Sequence, residues 1–401
     1  MIKYLNKIKK IKNQFSKFNN SEVENVLNVL NNDSIDYVKK LENLFSEKFK
    51  VKYSIACNSG TSGLHSALAA LNLKKGDEVI VPGLTVVMDA YAALHLNATP
   101  VFADVDPSTQ NISASTINEV LTEKTRAIVC VHLAGWPCDM DPILRLARAH
   151  QLFVIEDCAQ AHGAKYKGQS VGSFGDVSCW SFCQDKIITT GGEGGMVTTN
   201  RKDIWSFVWS YKDHGKSYDA VHSEEHSAGF RWLHHSFGTN LRMTEIQAAI
   251  GRIQLRKLES WNQKRRSNCQ MIWDALSDLN VIRIPYLACD GCRSETCVDE
   301  GCRNAAYKSY VFVEAGETMR DFIMKKITQN GIPCSTGSCS EVYLEKAFVN
   351  QNFSQPRRLT VAKRLGETSL MFLCHPTLGQ DEMALICEVA RDAVTNSTTR
   401  G

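Results

Sequence analysis

Over much of its first half the chain alternates short apolar runs with amphipathic stretches. VIVPG (79–83), TPVFADVD (99–106), AIVCVHL (127–133), LFVIEDC (152–158) and SCWSF (178–182) have the length and composition of buried strands. Between them lie helical patterns such as GTSGLHSALAALNL and MDPILRLARAH. That rhythm predicts an α/β fold, a mostly parallel sheet wrapped by helices. Upstream, about residues 21–48 carry a helical pattern. Downstream, a looser stretch with His and Trp (201–235) leads into RMTEIQAAIGRIQLRKLESWNQKRRSNCQMIWDAL (242–276), which predicts one long helix. A strand follows at YKSYVFVEA (307–315), then a helix at TMRDFIMKKITQNG (318–331) and a last helix from about 380 to 396. The expected division is an N-terminal helical arm over 1–48, a large α/β domain over 49–255, and a linking helix with a smaller C-terminal α+β domain over 256–401.

Composition agrees with a globular chain and narrows its partners. With 401 residues, 43% of them hydrophobic, the sequence can bury a large core. The formal charge of +3, from 46 Lys+Arg against 43 Asp+Glu, favours neither nucleic acid nor an anionic membrane as partner. The first residues, MIKYLNKIKKIKNQF, are basic and amphipathic but lack the continuous apolar stretch and cleavage site of a signal peptide. No run of about 18 apolar residues predicts a membrane span. The 15 cysteines are scattered through expected core elements, Cys57, Cys130, Cys158 and Cys179 among them, so a reducing cytoplasmic setting is expected rather than a disulfide framework.

In a sheet of this kind, ligands collect at the carboxyl ends of the strands, and the candidate chemistry is found at those ends. Asn58-Ser59-Gly60-Thr61 opens a helix, where free N–H groups and the helix dipole suit a phosphate; an ordinary N-cap explains the same residues. Asp157 closes a strand that reads as fully buried, so its carboxylate needs a positive partner, either an internal cation or a protonated ring nitrogen. In CQDKIITTGGEGG (183–195), Lys186 precedes four glycines at the expected mouth of the sheet. Glycines allow close backbone approach and unusual turns, and a partly buried lysine becomes a nucleophile. Phosphate site, buried acid and lysine follow one another in the order expected of a pyridoxal 5′-phosphate (PLP) enzyme.

The sequence resembles the DegT/DnrJ/StrS-type sugar aminotransferases, PLP-dependent enzymes of the aspartate aminotransferase fold (fold type I), from about residue 20 onward. The likeness is carried by NSGTSGLHSAL (58–68), GDEVIVPGLT (76–85), PVFADVDPSTQNI, HLAGWPCDMDPI (132–143), EDCAQAHGAKYKGQSVGSFGDVSCWSF with Lys186 and GGEGG, and GTNLRMTEIQAAIGRIQL (238–255). The resemblance implies a large domain with a mostly parallel mixed sheet, and PLP held covalently by Lys186. Asp157 would pair with the pyridine nitrogen, and Gln160 would lie near the phenolic oxygen. Gly60, Thr61 and Ser181 would hold the phosphate, with Asn240 reaching in from the other subunit of a homodimer. It also implies an amino donor, glutamate or glutamine, and a ketosugar acceptor, nucleotide-linked, for a surface polysaccharide such as an O-antigen or for a secondary metabolite. Family members that dehydrate sugars carry histidine where this chain has Lys186, so transamination is expected.

Three features depart from the family pattern. Val86 follows Thr85 where an aromatic residue usually stacks on the cofactor, so aliphatic packing is expected there. The loop from Lys186 to Gly195 matches the longer of two glycine-loop forms. Cys289, Cys292, Cys297 and Cys302 form a C-x2-C-x4-C-x4-C cluster, for which a zinc or iron–sulfur site and a plain loop insertion both stand, the insertion being preferred and no metal assigned. His162 and His214 are read as packed or solvated, or else as ligand contacts. Trp232, His234 and His235 fall in the loop before Asn240, and KRR (264–266) is read as a solvated helix face.

Overall fold

A computed structural model describes residues 18–31, 35–226, 229–285, 301–351, 353, 355 and 357–398. Where one helical arm is predicted, there are two helices, α1 (Asn20–Leu30) and α2 (Tyr37–Phe49). Asn19 and Glu22 form a capping box at the start of α1, and Asp36 caps α2. Both lie against α9 (Glu245–Leu276), the predicted long helix. The buried Glu22 carboxylate accepts from Gln254 Nε2 at 2.7 Å, and Glu245 accepts from the Tyr37 N–H at 2.7 Å.

The large sheet comprises β1 (Tyr53–Cys57), β2 (Glu78–Pro82), β3 (Thr99–Ala103), β4 (Thr125–Val131), β5 (Phe153–Asp157), β8 (Val177–Ser181) and β9 (Gly195–Thr199), with a two-residue ribbon β6 (Lys165–Tyr166) and β7 (Gln169–Ser170) beside it. Its order is β1-β9-β8-β5-β4-β2-β3. β3, β2, β4, β5 and β8 run parallel, and β9 alone is reversed, pairing antiparallel with β8 and with β1. The helices α3 (Gly60–Ala69), α4 (Met88–Leu94), α5 (Ala114–Asn118), α6 (Met140–Ala149) and α7 (Lys202–Tyr211) connect and cover these strands, and a short α8 (Tyr218–His222) follows. The five strands expected from sequence are all present. β1 and β9 are additional: GMVTT begins with glycine and ends in threonines, so it carries no apolar run, yet all five residues are buried. The polar atoms are paired, as Thr198 Oγ1 accepts from Trp180 Nε1 at 3.0 Å and Thr199 Oγ1 donates to the Asp176 carbonyl at 2.6 Å.

Beyond α9, a second, antiparallel sheet has the order β10 (Ile282–Arg283), β11 (Ser309–Val313), β13 (Ser369–Phe372), β12 (Cys334–Ser335). Helices Glu317–Gln329 and Gln380–Thr398 pack on it through Ile323, Ile327, Ile386 and Val389. The molecule is thus α/β, with a mostly parallel mixed sheet and a small α+β unit. One expectation is corrected here. Arg265 of the KRR triplet is not on a solvated face: it is buried and donates to the Tyr307 carbonyl at 3.2 Å, because its side of α9 faces the chain entering β11. Among the described residues, no helix is long and apolar enough to cross a membrane.

Candidate active site

Because β9 is reversed, its first residue lies at the same edge as the last residues of β1, β5 and β8. At that edge a cavity of about 630 Å³ opens. Gly60, Thr61, Val86, Asp157, Gln160, Ser181 and Lys186, widely spaced in sequence, all line it. Asn240 does not line the cavity of its own chain; it is exposed and accepts weakly from the Arg242 N–H at 3.4 Å.

One end of the cavity is the start of α3. Ser59 is extended (φ −161°) and its hydroxyl caps the Ser62 N–H at 3.1 Å, leaving the first-turn amides of Gly60 and Thr61 beside the cavity. The anion-site and N-cap readings of this segment therefore describe the same geometry. The glycine loop locks onto it: a Cβ at Gly195 would stand 2.3 Å from the Ser59 carbonyl oxygen, and one at Gly60 would stand 2.7 Å from Ser181 Cβ. Gly191 and Gly192 turn with φ of +94° and +144°. Two of the loop glycines thus make a turn, Gly194 leaves room for the Thr190 side chain, and Gly195 allows the backbones to touch. Ile187 and Ile188, both buried, pin the segment next to Lys186 into the core.

Asp157 ends β5 almost fully buried, with Oδ1 accepting the Ala159 N–H at 2.8 Å. Burial pushes its carboxyl above the usual range, while Ala159, the Lys186 charge and Asp89 pull the other way. Lys186 is mostly enclosed; its Nζ lies 3.5 Å from Asp185 Oδ1 and 5.1 Å from the centre of the Tyr307 ring. The Tyr307 hydroxyl donates to Asp185, fixing that acid against the small sheet. Lys308 Nζ also sits over the Tyr307 ring, 4.9 Å from its centroid, and burial holds this second amine below the ordinary lysine range. Gln160 Oε1 is anchored by the Ala134 N–H at 2.7 Å.

Beneath the cavity, His132, Glu156 and Cys158 approach closely enough to suggest a cation site. Two of the three, His132 and Glu156, are already engaged. His132 Nδ1 accepts the Cys138 N–H at 3.0 Å, so its Nε2 donates to Glu156 at 3.0 Å, and Glu156 also accepts from Gly172, Phe174 and Gly175. Although burial drives it upward, bonds from His132, Gly175 and Gly172 hold the Glu156 carboxyl below the usual range. The trio is a support for β5 and the strand end that carries Asp157.

Sequence reasoning missed the wall formed by Tyr307, Lys308, Tyr310, Ser338, Cys339 and Glu345 from the small unit, and Asp89 beneath Asp157. Tyr307 and Lys308 lie inside a segment read only as a strand; a lysine in so apolar a run was the available signal. His162 is a core residue, packed 5.4 Å from Trp180 and 5.8 Å from Phe182. His214 is exposed beside Arg242, with Nδ1 at 3.2 Å from the guanidinium. Trp232, His234 and His235 are exposed. Of the cysteine cluster, Cys289, Cys292 and Cys297 lie outside the described residues, while Cys302 is buried against the large domain. Cys57, Cys130, Cys158 and Cys179 are buried thiols in the core, with burial raising each; Cys57 is pushed up to about 12.

A mixed sheet presenting a lysine, a buried aspartate and a helix N-terminus along one edge, with a small α+β unit forming the opposite wall, defines the PLP-dependent fold type I class. Residues 14–391 match the DegT/DnrJ/EryC1/StrS aminotransferase family, and the chain belongs to it. It is similar to a GDP-perosamine synthase of Escherichia coli O157:H7, 46% identical over 231 residues, which are 58% of this chain and 60% of that enzyme. A UDP-N-acetyl-3-dehydro-alpha-D-glucosamine 3-aminotransferase of Acidithiobacillus ferrooxidans is 33% identical over 341 residues, 85% of this chain and 84% of its own. An aminotransferase from Psychrobacter cryohalolentis, solved by X-ray methods, superposes with a TM-score of 0.91 at 48% identity, covering 96% of this chain and 99% of that one.

Proposed function

We propose that the chain is a PLP-dependent aminotransferase that moves an amino group from glutamate or glutamine to a nucleotide-linked ketosugar. The observation that carries the reading is the meeting in one cavity of Lys186, Asp157 and the Ser59–Thr61 helix start, brought together from 128 positions of sequence. The residues fit the cofactor: an amine to attach its aldehyde, a buried carboxylate to face a ring nitrogen, and a glycine-tight cradle of amides and the Ser181 hydroxyl for a phosphate. When bound, PLP supplies an electron sink for breaking bonds at the amino-bearing carbon. Asp157 keeps a proton on the ring nitrogen by presenting negative charge in a site where burial magnifies it. Lys186 Nζ would hold the aldehyde of the cofactor and, as a free amine in this enclosed position, would be placed to take up and return a proton at the substrate carbon. Gly60, Thr61 and Ser181 bind the phosphate, Gln160 and Val86 orient the ring, and Asn240 completes the phosphate site of the partner subunit in a homodimer.

The two related enzymes named above act, by their names, on nucleotide-linked sugars, which favours such an acceptor over a free or phosphorylated ketosugar or a ketocyclitol. The test is to load the chain with PLP, treat it with borohydride, and map the labelled peptide. The label is expected on Lys186, and reaction of the loaded protein with glutamate or glutamine should then support amination of one of a panel of GDP- and UDP-linked ketosugars. Label on another lysine overturns the site; label on Lys186 with turnover only of free sugars or cyclitols overturns the acceptor; label without any amino transfer marks a binding protein.

A further inference from the structure

Asp89, in the first turn of α4, is completely buried, and the groups among the described residues that act on it include no cation. Its Oδ2 accepts from Thr85 Oγ1 at 2.5 Å, whereas its buried Oδ1 receives no hydrogen bond from any donor among the described residues. The Asp89 carboxyl also interacts, through charge and side-chain hydrogen bonding, with another acceptor group, the Asp157 carboxyl. Two ionised carboxylates cannot share a contact in a dry site, since neither can donate and both repel. A carboxyl oxygen that is orphaned only because its neighbour is a carboxylate is satisfied by one proton between them.

We propose that Asp89 is a neutral carboxylic acid that donates its proton to Asp157, forming a buried carboxyl pair with a single net negative charge. The division of labour within the pair follows from its neighbours. Asp157 has the Ala159 N–H and the positive end of Lys186 to stabilise charge, with His132 behind it. Asp89 faces Asp157, the Thr85 hydroxyl and the neutral Cys179 thiol on β8, and no cation. The proton therefore resides on Asp89, and the charge on Asp157. Asp89 acts as a positioning residue: its O–H fixes the rotation of the Asp157 carboxyl and withdraws part of its basicity. The pair stands whatever the cavity binds. Its consequence for a ring nitrogen rests on the proposed function: an Asp157 made less basic leaves the proton on the ring rather than capturing it.

Burial and the Asp157 charge raise the Asp89 carboxyl well above the usual aspartate range. An acid raised on folding stabilises the fold below its unfolded pKa, about 4, and that contribution is lost as pH rises toward the folded value. Asp89→Asn keeps a donor toward Asp157 and an acceptor for Thr85 but has no proton to lose. The experiment compares unfolding of the full-length wild type and D89N by denaturant from pH 5 to 8, both with PLP and without. The advantage of D89N is expected to grow by roughly tenfold in the unfolding equilibrium per pH unit, one proton's worth. A pH-independent difference overturns the proposal, because it means that Asp89 is ionised in the fold as it is in the unfolded chain. A second measurement needs no variant. In wild-type protein carrying ¹³C-labelled aspartate carboxyls, infrared spectra at pH 7 should show a protonated carboxylic C=O band that moves with the label, a signal that the buried glutamates cannot give. Its absence overturns the proposal equally.

Discussion

Lys186 and Asp157 are the two side chains on which the proposed chemistry depends, and single substitutions separate their roles. Lys186→Ala should bind PLP through the phosphate cradle and Asp157 yet retain none after borohydride treatment and denaturation, as measured by cofactor absorbance in the unfolded protein. Asp157→Asn removes the negative charge while nearly preserving shape, so both half-reactions should slow by orders of magnitude with cofactor still bound, as followed by stopped-flow absorbance. Near-normal rates would make Asp157 a structural acid. Asp157 was legible because it closes a strand whose burial is plain from its apolar run, and Lys186 because it follows such a strand and precedes four glycines. Asp89 was not: in VVMDAY an acid looks like an ordinary first-turn helix residue, favoured there by the dipole. Only the approach of α4 to β5 turns it into a buried carboxyl facing another. Lys308 was hidden in the same way, since a strand pattern says nothing about which cavity a neighbouring residue enters.

At the level of elements, the loop between β8 and β9 is held by contacts that leave no room for side chains. Gly195→Ala sets a methyl group against the Ser59 carbonyl, and the overpacking should cost about 1–3 kcal/mol of stability in denaturant titrations. It should also weaken binding of inorganic phosphate or PLP, because the displaced atoms belong to the α3 start. Gly192→Ala meets no neighbour within 4 Å and strains only the backbone, at about 1–2 kcal/mol, so it should spare the phosphate affinity that Gly195→Ala impairs. Equal losses of affinity in both variants would show that the loop acts through flexibility rather than through contact. The sequence pattern disclosed the five central strands, whose apolar runs are continuous. It hid β1 and β9, where Ser54, Thr198 and Thr199 are buried by pairing their hydroxyls with the Ser46 hydroxyl, Trp180 and the Asp176 carbonyl. It also hid the capping that divides the N-terminal arm into α1 and α2, a break set by Asp36 and by Glu245 from a helix about 200 residues away.

For the whole molecule, the decisive test is of a site shared between subunits. Lys186→Ala and Asn240→Ala should each be nearly inactive. Unfolded together and refolded as a mixture, about half the dimers should be mixed, each holding one site with both residues intact, so activity should return to roughly a quarter of wild type if association is random. No recovery, with mixed dimers confirmed by differential tagging, would place Asn240 in service of its own chain or of neither. The exposure of Asn240 and its distance from its own cavity lining motivate the experiment; the sequence pointed to it only through the family resemblance. The reversed strand β9 has a further consequence, for the order in which the molecule assembles. Its pairing with β8 spans only the loop between Ser181 and Gly195, a local closure that would place Lys186 early. Its pairing with β1, where Cys57 meets Gly195, must bring together residues separated by most of the large domain, and loop closure over that span is slow. On the proposed function, Lys186 would come into position before the phosphate cradle exists, and retention of PLP would be expected among the last properties regained on refolding.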